Sequence, residues 1–317
     1  MSPTESPREP SAPGSLRRFL PWLVGAAILL ALIYRVPLAA LRGGLVHGPW
    51  GALAVYTVPF IGITLVADAF ATGICLRIAG EPRPAGTLVL VRGATYLLGL
   101  VNYAVGQGGI GLYLHRTGVR AGRGAGIVLF SLVVNFGALA AAAALGLLVA
   151  QGAWTRAYQA GALGILAAGT AYLGVVALRP AFLARREILA PLFAAGPLGH
   201  LAALAGRMPH LLLLILGHWG ALALWGIRMP MGEALVRMPV VLLASVVPLS
   251  PSGLGTVQAA QVLLFAPFVA GGPVSPAARE ATVLGFSMAL GVLGVGCQAL
   301  IGAVCLAVLR RRGLVGP

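Results

Sequence analysis

Asp68 is the only aspartate in the chain, and it stands inside the apolar run LVADAFATG. Arg92 stands inside another, LVLVRGATYLL. Ionisable groups in such surroundings are costly and mark function by default. A guanidinium presents its donors as a planar fork that matches phosphate, and a neighbouring carboxylate would hold that fork in place. An Asp68–Arg92 pair facing the protein interior is therefore expected. The plainer alternatives are a purely structural ion pair, or Arg92 reaching to an interface from near the start of its segment.

A second set of residues looks like one device built twice. Residues 101–116 read VNYAVGQGGIGLYLHR, and residues 245–258 read SVVPLSPSGLGTVQ. Each has a Gly-x-Gly core, Gly109-Ile110-Gly111 and Gly253-Leu254-Gly255, in an otherwise apolar segment. The polar groups around them are Asn102, Gln107, Ser250, Ser252, Thr256, Gln258 and Gln261. Free backbone donors at the tips of broken helices can bind an anion. The same side chains could instead do no more than satisfy a broken backbone. His115 and Arg116 follow the first motif and could clamp an anionic group or serve as topogenic loop charges. The expected ligand-contacting set is Asp68, Arg92, Asn102, Gly109, Gly111, Arg116, Ser250, Ser252, Gly253, Gly255 and Gln258. His210 and His218 share a helix face with Trp219 and Trp225 nearby, so a proton relay or simple packing would fit.

The elements that must position these residues are set by composition. The chain of 317 residues is 59% hydrophobic and 9% charged, with a mean hydropathy of +0.95. Soluble domains carry about 25% charged residues, so lipid is the solvent here. All 22 basic residues are arginine, and they punctuate apolar runs as the positive-inside rule and anionic headgroups favour. A nucleic-acid partner is not expected. The three cysteines lack metal-ligand spacing and read as small buried hydrophobes. Seven acidic residues, mostly in loops, are few for metal or general-base chemistry, so an enzyme is not expected and neither is a cofactor.

Apolar runs fall at about 19–34, 51–76, 87–114, 125–150, 158–178, 208–227, 238–270 and 281–309. With the N-terminus in the cytoplasm, most arginines fall inside. Both flanks of 87–114 (Arg77 and Arg83; Arg116, Arg120 and Arg123) then want the same side. That segment should enter and return, turning near its Gly-rich stretch, and 238–270 should do the same from outside. The fold expected is an all-α polytopic membrane protein with about six full spans and two re-entrant broken-helix hairpins. Its halves, about 19–150 and 158–309, would form an inverted-topology repeat. Eight plain spans, some kinked, is the alternative, and it strands the Arg116–Arg123 loop outside. Residues 1–18 read as a disordered basic cytoplasmic N-terminus, 19–310 as one transmembrane domain, and 311–317 as a cytoplasmic tail. Residues 181–206 are interrupted and should lie along the cytoplasmic interface. The location expected is a bacterial-type inner (plasma) membrane, multi-pass, with both termini cytoplasmic.

The pieces YLLGLVNYAVGQGGIGLYLHRTGV and VVPLSPSGLGTVQAA, with this run of spans, resemble the lysylphosphatidylglycerol synthase transmembrane domain, also called the flippase-like domain. The similarity covers roughly residues 20–310. Departures occur at Tyr103, where the family often has Pro, and at Leu112 and Gln258, where it often has acidic residues. The resemblance implies binding or translocation of an anionic phospholipid or a polyprenyl-phosphate-linked intermediate. A soluble synthase domain is not expected within these 317 residues, so synthesis is not implied. The alternative is a non-catalytic membrane subunit or scaffold of an aminoacyl- or glycosyl-lipid enzyme, with that enzyme as partner. The lipid, the direction of movement and the oligomeric state are not legible in the sequence.

Overall fold

The computed structural model describes residues 15–101, 103–149, 156–246, 253–271 and 275–314. Among these the chain is all-helical, with one isolated antiparallel bridge between Ile227 and Val269. Five helices are long and apolar enough to cross a membrane, or six if one bent pair counts as a single span. That pair is α1 (Ser15–Arg35) and α2 (Leu38–Val46), which meet at 102°. Pro37 causes the bend: it disfavours helical backbone at the residue before it and pre-sets the start of a new helix after it. Helix α1 takes in residues 15–18, which were expected to be disordered. The rest of the expected N-terminal tail, residues 1–14, lies outside the described residues, as do 315–317.

The long helices are α3 (Trp50–Ile78), α6 (Ala121–Val149), α7 (Arg156–Leu178), α9 (Ala190–Leu224) and α12 (Pro276–Arg311). Between them come the shorter α4 (Ala85–Gly99), α5 (Tyr103–Arg116), α10 (Met231–Val246) and α11 (Thr256–Phe265), with a four-residue turn, α8 (Ala181–Ala184), before α9. A lone helix needs about 20 residues to span lipid, and none of these four is that long.

The first short pair is a hairpin. A Cβ on Gly106 would sit 3.0 Å from Gly99 Cα, and one on Gly109 would sit 2.7 Å from Thr95 Cγ2. At about 1.5 Å rise per residue, a straight helix would hold residues 95 and 109 about 21 Å apart. The second pair folds back likewise: Arg237 Nη1 on α10 donates to the Leu264 carbonyl on α11 at 3.2 Å. Two adjoining connections seal one end of the bundle. Arg123 Nε meets Glu81 Oε1 at 3.2 Å, and Arg123 Nη2 donates to the Ala79 carbonyl at 2.9 Å. The α3–α4 and α5–α6 connections therefore lie side by side.

Two expectations are corrected. The first hairpin does not turn at Gly109-Ile110-Gly111. It turns at Leu100 and Val101, and both glycines lie within α5 with φ outside the positive region. A helical glycine costs about 1 kcal/mol relative to alanine. Here it removes side-chain bulk where α5 lies flat on α4. Residues 181–206 do not all lie apart from the next span. Gly196 (φ 62°, ψ 175°) breaks the helix, and from Pro197 the backbone runs through Pro209 to Leu224. Pro197 opens a helical turn, where its missing N–H leaves no bond unmade.

Packing partners cross over between the halves. Helix α3 packs on α9. Helix α4 packs on α12 while α10 packs on α6, and α5 packs on α6 while α11 packs on α12. The largest apolar core joins α9, α10, α11 and α12, around Leu222, Met238, Phe265 and Phe286.

Candidate functional site

Helix α9 brings an unexpected third charge to the Asp68–Arg92 pair. Arg207 directly follows the stretch 181–206 that was expected along the cytoplasmic interface, but its side chain is buried in the bundle. Ala203, Arg207, Leu211 and Ile215 are all buried, four residues apart, so they form one inward stripe of a continuous helix. That periodicity is legible in the sequence once Pro209 is allowed within a helix.

The cluster draws on five helices. Asp68 on α3 accepts from Arg92 on α4 through Oδ2, with Nε at 2.8 Å and a second, closer bond from Nη2. Its other oxygen, Oδ1, accepts from Arg207 Nη1 at 2.5 Å. The outer guanidinium faces are also held. Arg92 Nη1 donates to Gln107 Oε1 on α5 at 3.3 Å, and Arg207 Nε donates to Asn135 Oδ1 on α6 at 2.9 Å. Asp68, Arg92 and Arg207 are 4%, 5% and 7% exposed. Two guanidiniums thus share one carboxylate, which leaves one positive charge in excess. Asn135, a lone amide in the apolar run SLVVNFGAL, was not singled out from the sequence.

This cluster forms one end of a cavity of about 410 Å³. Eight helices line it: α3, α4, α5 and α6 from one half of the chain, α9, α10, α11 and α12 from the other. The walls beyond the charges are mostly apolar, with Phe60, Ile61, Leu139, Leu211, Leu214, Leu242 and Leu290. Glycines keep the space open: Gly291 and Gly294 line the cavity, and a Cβ on either would meet nothing within 4 Å. Both hairpins contribute, the first through Arg92, Tyr103 and Gln107 and the second through Ser245, Gln258 and Gln261. His210 and His218 line it too, and His218 Nδ1 lies 2.7 Å from the Leu214 carbonyl oxygen, a partner within its own helix.

The remaining sequence-based candidates divide. Asp68, Arg92 and Gln258 line the cavity, whereas Gly109, Gly111, Arg116, Gly253 and Gly255 are not among its lining residues. Gly109 faces Thr95 and Leu98 on α4, and Gly111 faces Val128 on α6. Arg116 is exposed at the end of α5. Gly253 and Gly255 have positive φ, 72° and 81°, and lead into α11. There the Gln258 Oε1 caps the helix by accepting from Gly255 N at 2.6 Å. That bond satisfies the broken backbone, so Gln258 has a structural duty as well as a place in the wall. Asn102, Ser250 and Ser252 lie outside the described residues.

Comparison with protein-family models finds no match, and no curated protein sequence matches the chain.

Proposed function

We propose that the protein binds an anionic lipid in this cavity and carries it between leaflets. The ligand would be a phospholipid or a polyprenyl-phosphate-linked intermediate, as the resemblance to the flippase-like domain implies. One observation carries the reading: Arg92 and Arg207 share the single carboxylate of Asp68 at one end of a mostly apolar cavity. A positive charge in excess within a buried cluster is expensive, and an arriving phosphate would cancel it. The guanidinium fork suits phosphate oxygens, and the apolar walls suit the start of an acyl or prenyl chain.

In this reading α3–α6 and α9–α12 are inverted copies, and the α4–α5 and α10–α11 hairpins re-enter the membrane from opposite sides. The crossed packing of α4 on α12 and α10 on α6 is what two such copies would produce. Lining residues from both hairpins fit a site at the interface of the repeats. The arginine bias argues for cytoplasmic termini in a bacterial-type plasma membrane.

The test is translocation of a fluorescent anionic phospholipid in reconstituted vesicles, read by dithionite quenching. Arg92→Gln and Arg207→Gln should each abolish it, while Arg310→Gln at the end of α12 should not. Wild-type rates in both cavity variants would refute the proposal.

A further inference from the structure

The cavity also carries information about which lipid head it accepts, an inference that rests on the anionic-lipid reading above. The carboxylate and guanidinium side chains in its lining are Asp68, Arg92 and Arg207. Both oxygens of Asp68 are already engaged, Oδ2 by Arg92 and Oδ1 by Arg207. A head group bearing an ammonium would find no free carboxylate and would enter a region with excess positive charge. A head of net charge minus one would balance it.

Gln261 on α11 adds a second selection. It is 3% exposed and lines the same cavity, yet its Oε1 has no hydrogen-bond partner among the described residues. The other two glutamines on the return helices are spoken for. Gln107 Oε1 accepts from Arg92 Nη1 at 3.3 Å, and Gln258 Oε1 accepts from Gly255 N at 2.6 Å. A buried acceptor left without a donor is destabilising, and native proteins rarely keep one without a use. A ligand hydroxyl would supply the missing donor. It would also serve if the amide turned over about its terminal bond, since a hydroxyl both donates and accepts. An ammonium only donates, and the charge cluster repels it.

We propose that Gln261 is a specificity-determining residue. It reads a hydroxyl on the head group of a lipid whose phosphate is held by Arg92 and Arg207, so the cavity takes a singly charged phosphodiester with a hydroxylated, uncharged head. The first hairpin supplies charge recognition through Arg92, and the second supplies head-group recognition through Gln261.

The experiment measures binding of short-chain lipids to the purified full chain in detergent by titration calorimetry. The probes are dihexanoyl phosphatidylglycerol, dihexanoyl phosphatidylmethanol (same charge, no hydroxyl), dihexanoyl phosphatidylethanolamine and chain-free glycerol phosphate. Wild type should prefer the glycerol head over the methyl head by about tenfold, the worth of one hydrogen bond. The ethanolamine head and glycerol phosphate should bind far more weakly. Gln261→Met should erase the tenfold preference by weakening only the glycerol lipid. Because it removes an orphaned acceptor, this variant should unfold no earlier than wild type, and the wild-type preference is informative even if the variant is lost. Equal wild-type binding of the glycerol and methyl heads, or an unchanged preference in Gln261→Met, overturns the role of Gln261 and leaves the anionic-lipid reading standing. Tight binding of the ethanolamine lipid overturns the charge selection. Glycerol phosphate binding as tightly as the lipid would make the ligand a soluble phosphate ester. No binding of any anionic lipid would sink the underlying reading instead.

Discussion

Changing Asp68 to Asn removes the one carboxylate that, among the described residues, lines a cavity with two arginines. Asp68 sits 2.8 Å from Arg92 Nε and 2.5 Å from Arg207 Nη1, on opposite carboxylate oxygens. With charge centres about 4 Å apart and an effective dielectric of about 20, each attraction is worth about 4 kcal/mol. The two guanidiniums, about 7 Å apart across the carboxylate, repel by about 2 kcal/mol. Arg207→Gln loses one attraction and also relieves that repulsion, for a net cost of about 2 kcal/mol. Asp68→Asn loses both attractions and leaves the repulsion bare, so it should reach at least the ~3–5 kcal/mol typical of breaking a buried pair. Thermal unfolding in detergent, followed by size-exclusion of the surviving folded fraction, should rank wild type above Arg207→Gln and Arg207→Gln above Asp68→Asn. Adding either Arg92→Gln or Arg207→Gln to Asp68→Asn should recover part of the loss, because each removes one of the two repelling cations. The reasoning fails if Asp68→Asn is as stable as Arg207→Gln. It also fails if only the Arg92 double variant recovers, since Arg207 would then stand outside the cluster.

The paired glycine motifs should respond unequally to alanine. Gly255 has φ 81°, and a Cβ there would overlap the Gly25 carbonyl oxygen of α1, so Gly255→Ala should cost at least the ~1–2 kcal/mol of a left-handed residue. Gly111 is helical, with only the Val128 Cγ2 methyl nearby at 3.3 Å, so Gly111→Ala should be neutral or gain up to about 1 kcal/mol; equal losses in melting temperature would contradict this. The adjoining α3–α4 and α5–α6 connections put Gly80 and Gly118 at the same end of the bundle. In a cysteine-free background, Gly80→Cys and Gly118→Cys should both resist an impermeant thiol reagent in intact cells. Labelling of one alone would break the first hairpin, and labelling of both would place that end outside.

The membrane class and the outlines of α1, α3, α6, α7 and α12 follow from local composition, because transfer into lipid is nearly additive along a run of residues. Asp68 and Arg92 could be singled out for the same reason: a charge in an apolar run is conspicuous whatever it touches. The folding back of residues 87–114 was also legible, from the arginines on both flanks. Tertiary structure decided where that hairpin turns. Gly109 and Gly111 signal a break in a lone helix, but with α4 and α6 against them they provide close approach, so the chain turns at Leu100 and Val101 instead. Tertiary structure also decided the make-up of the charge cluster. Arg207 resembles a loop arginine until Pro197 and Pro209 are seen within one helix, and its partners come from α3 and α6. Nothing local in the sequence shows that Asn135 bonds Arg207, and the grouping of Gln261 with the second glycine motif does not show that its Oε1 is left without a partner among the described residues. Burial propensity belongs to a residue and its neighbours in sequence, whereas a hydrogen-bond partner depends on how separate helices are rotated and spaced, which no window of sequence records.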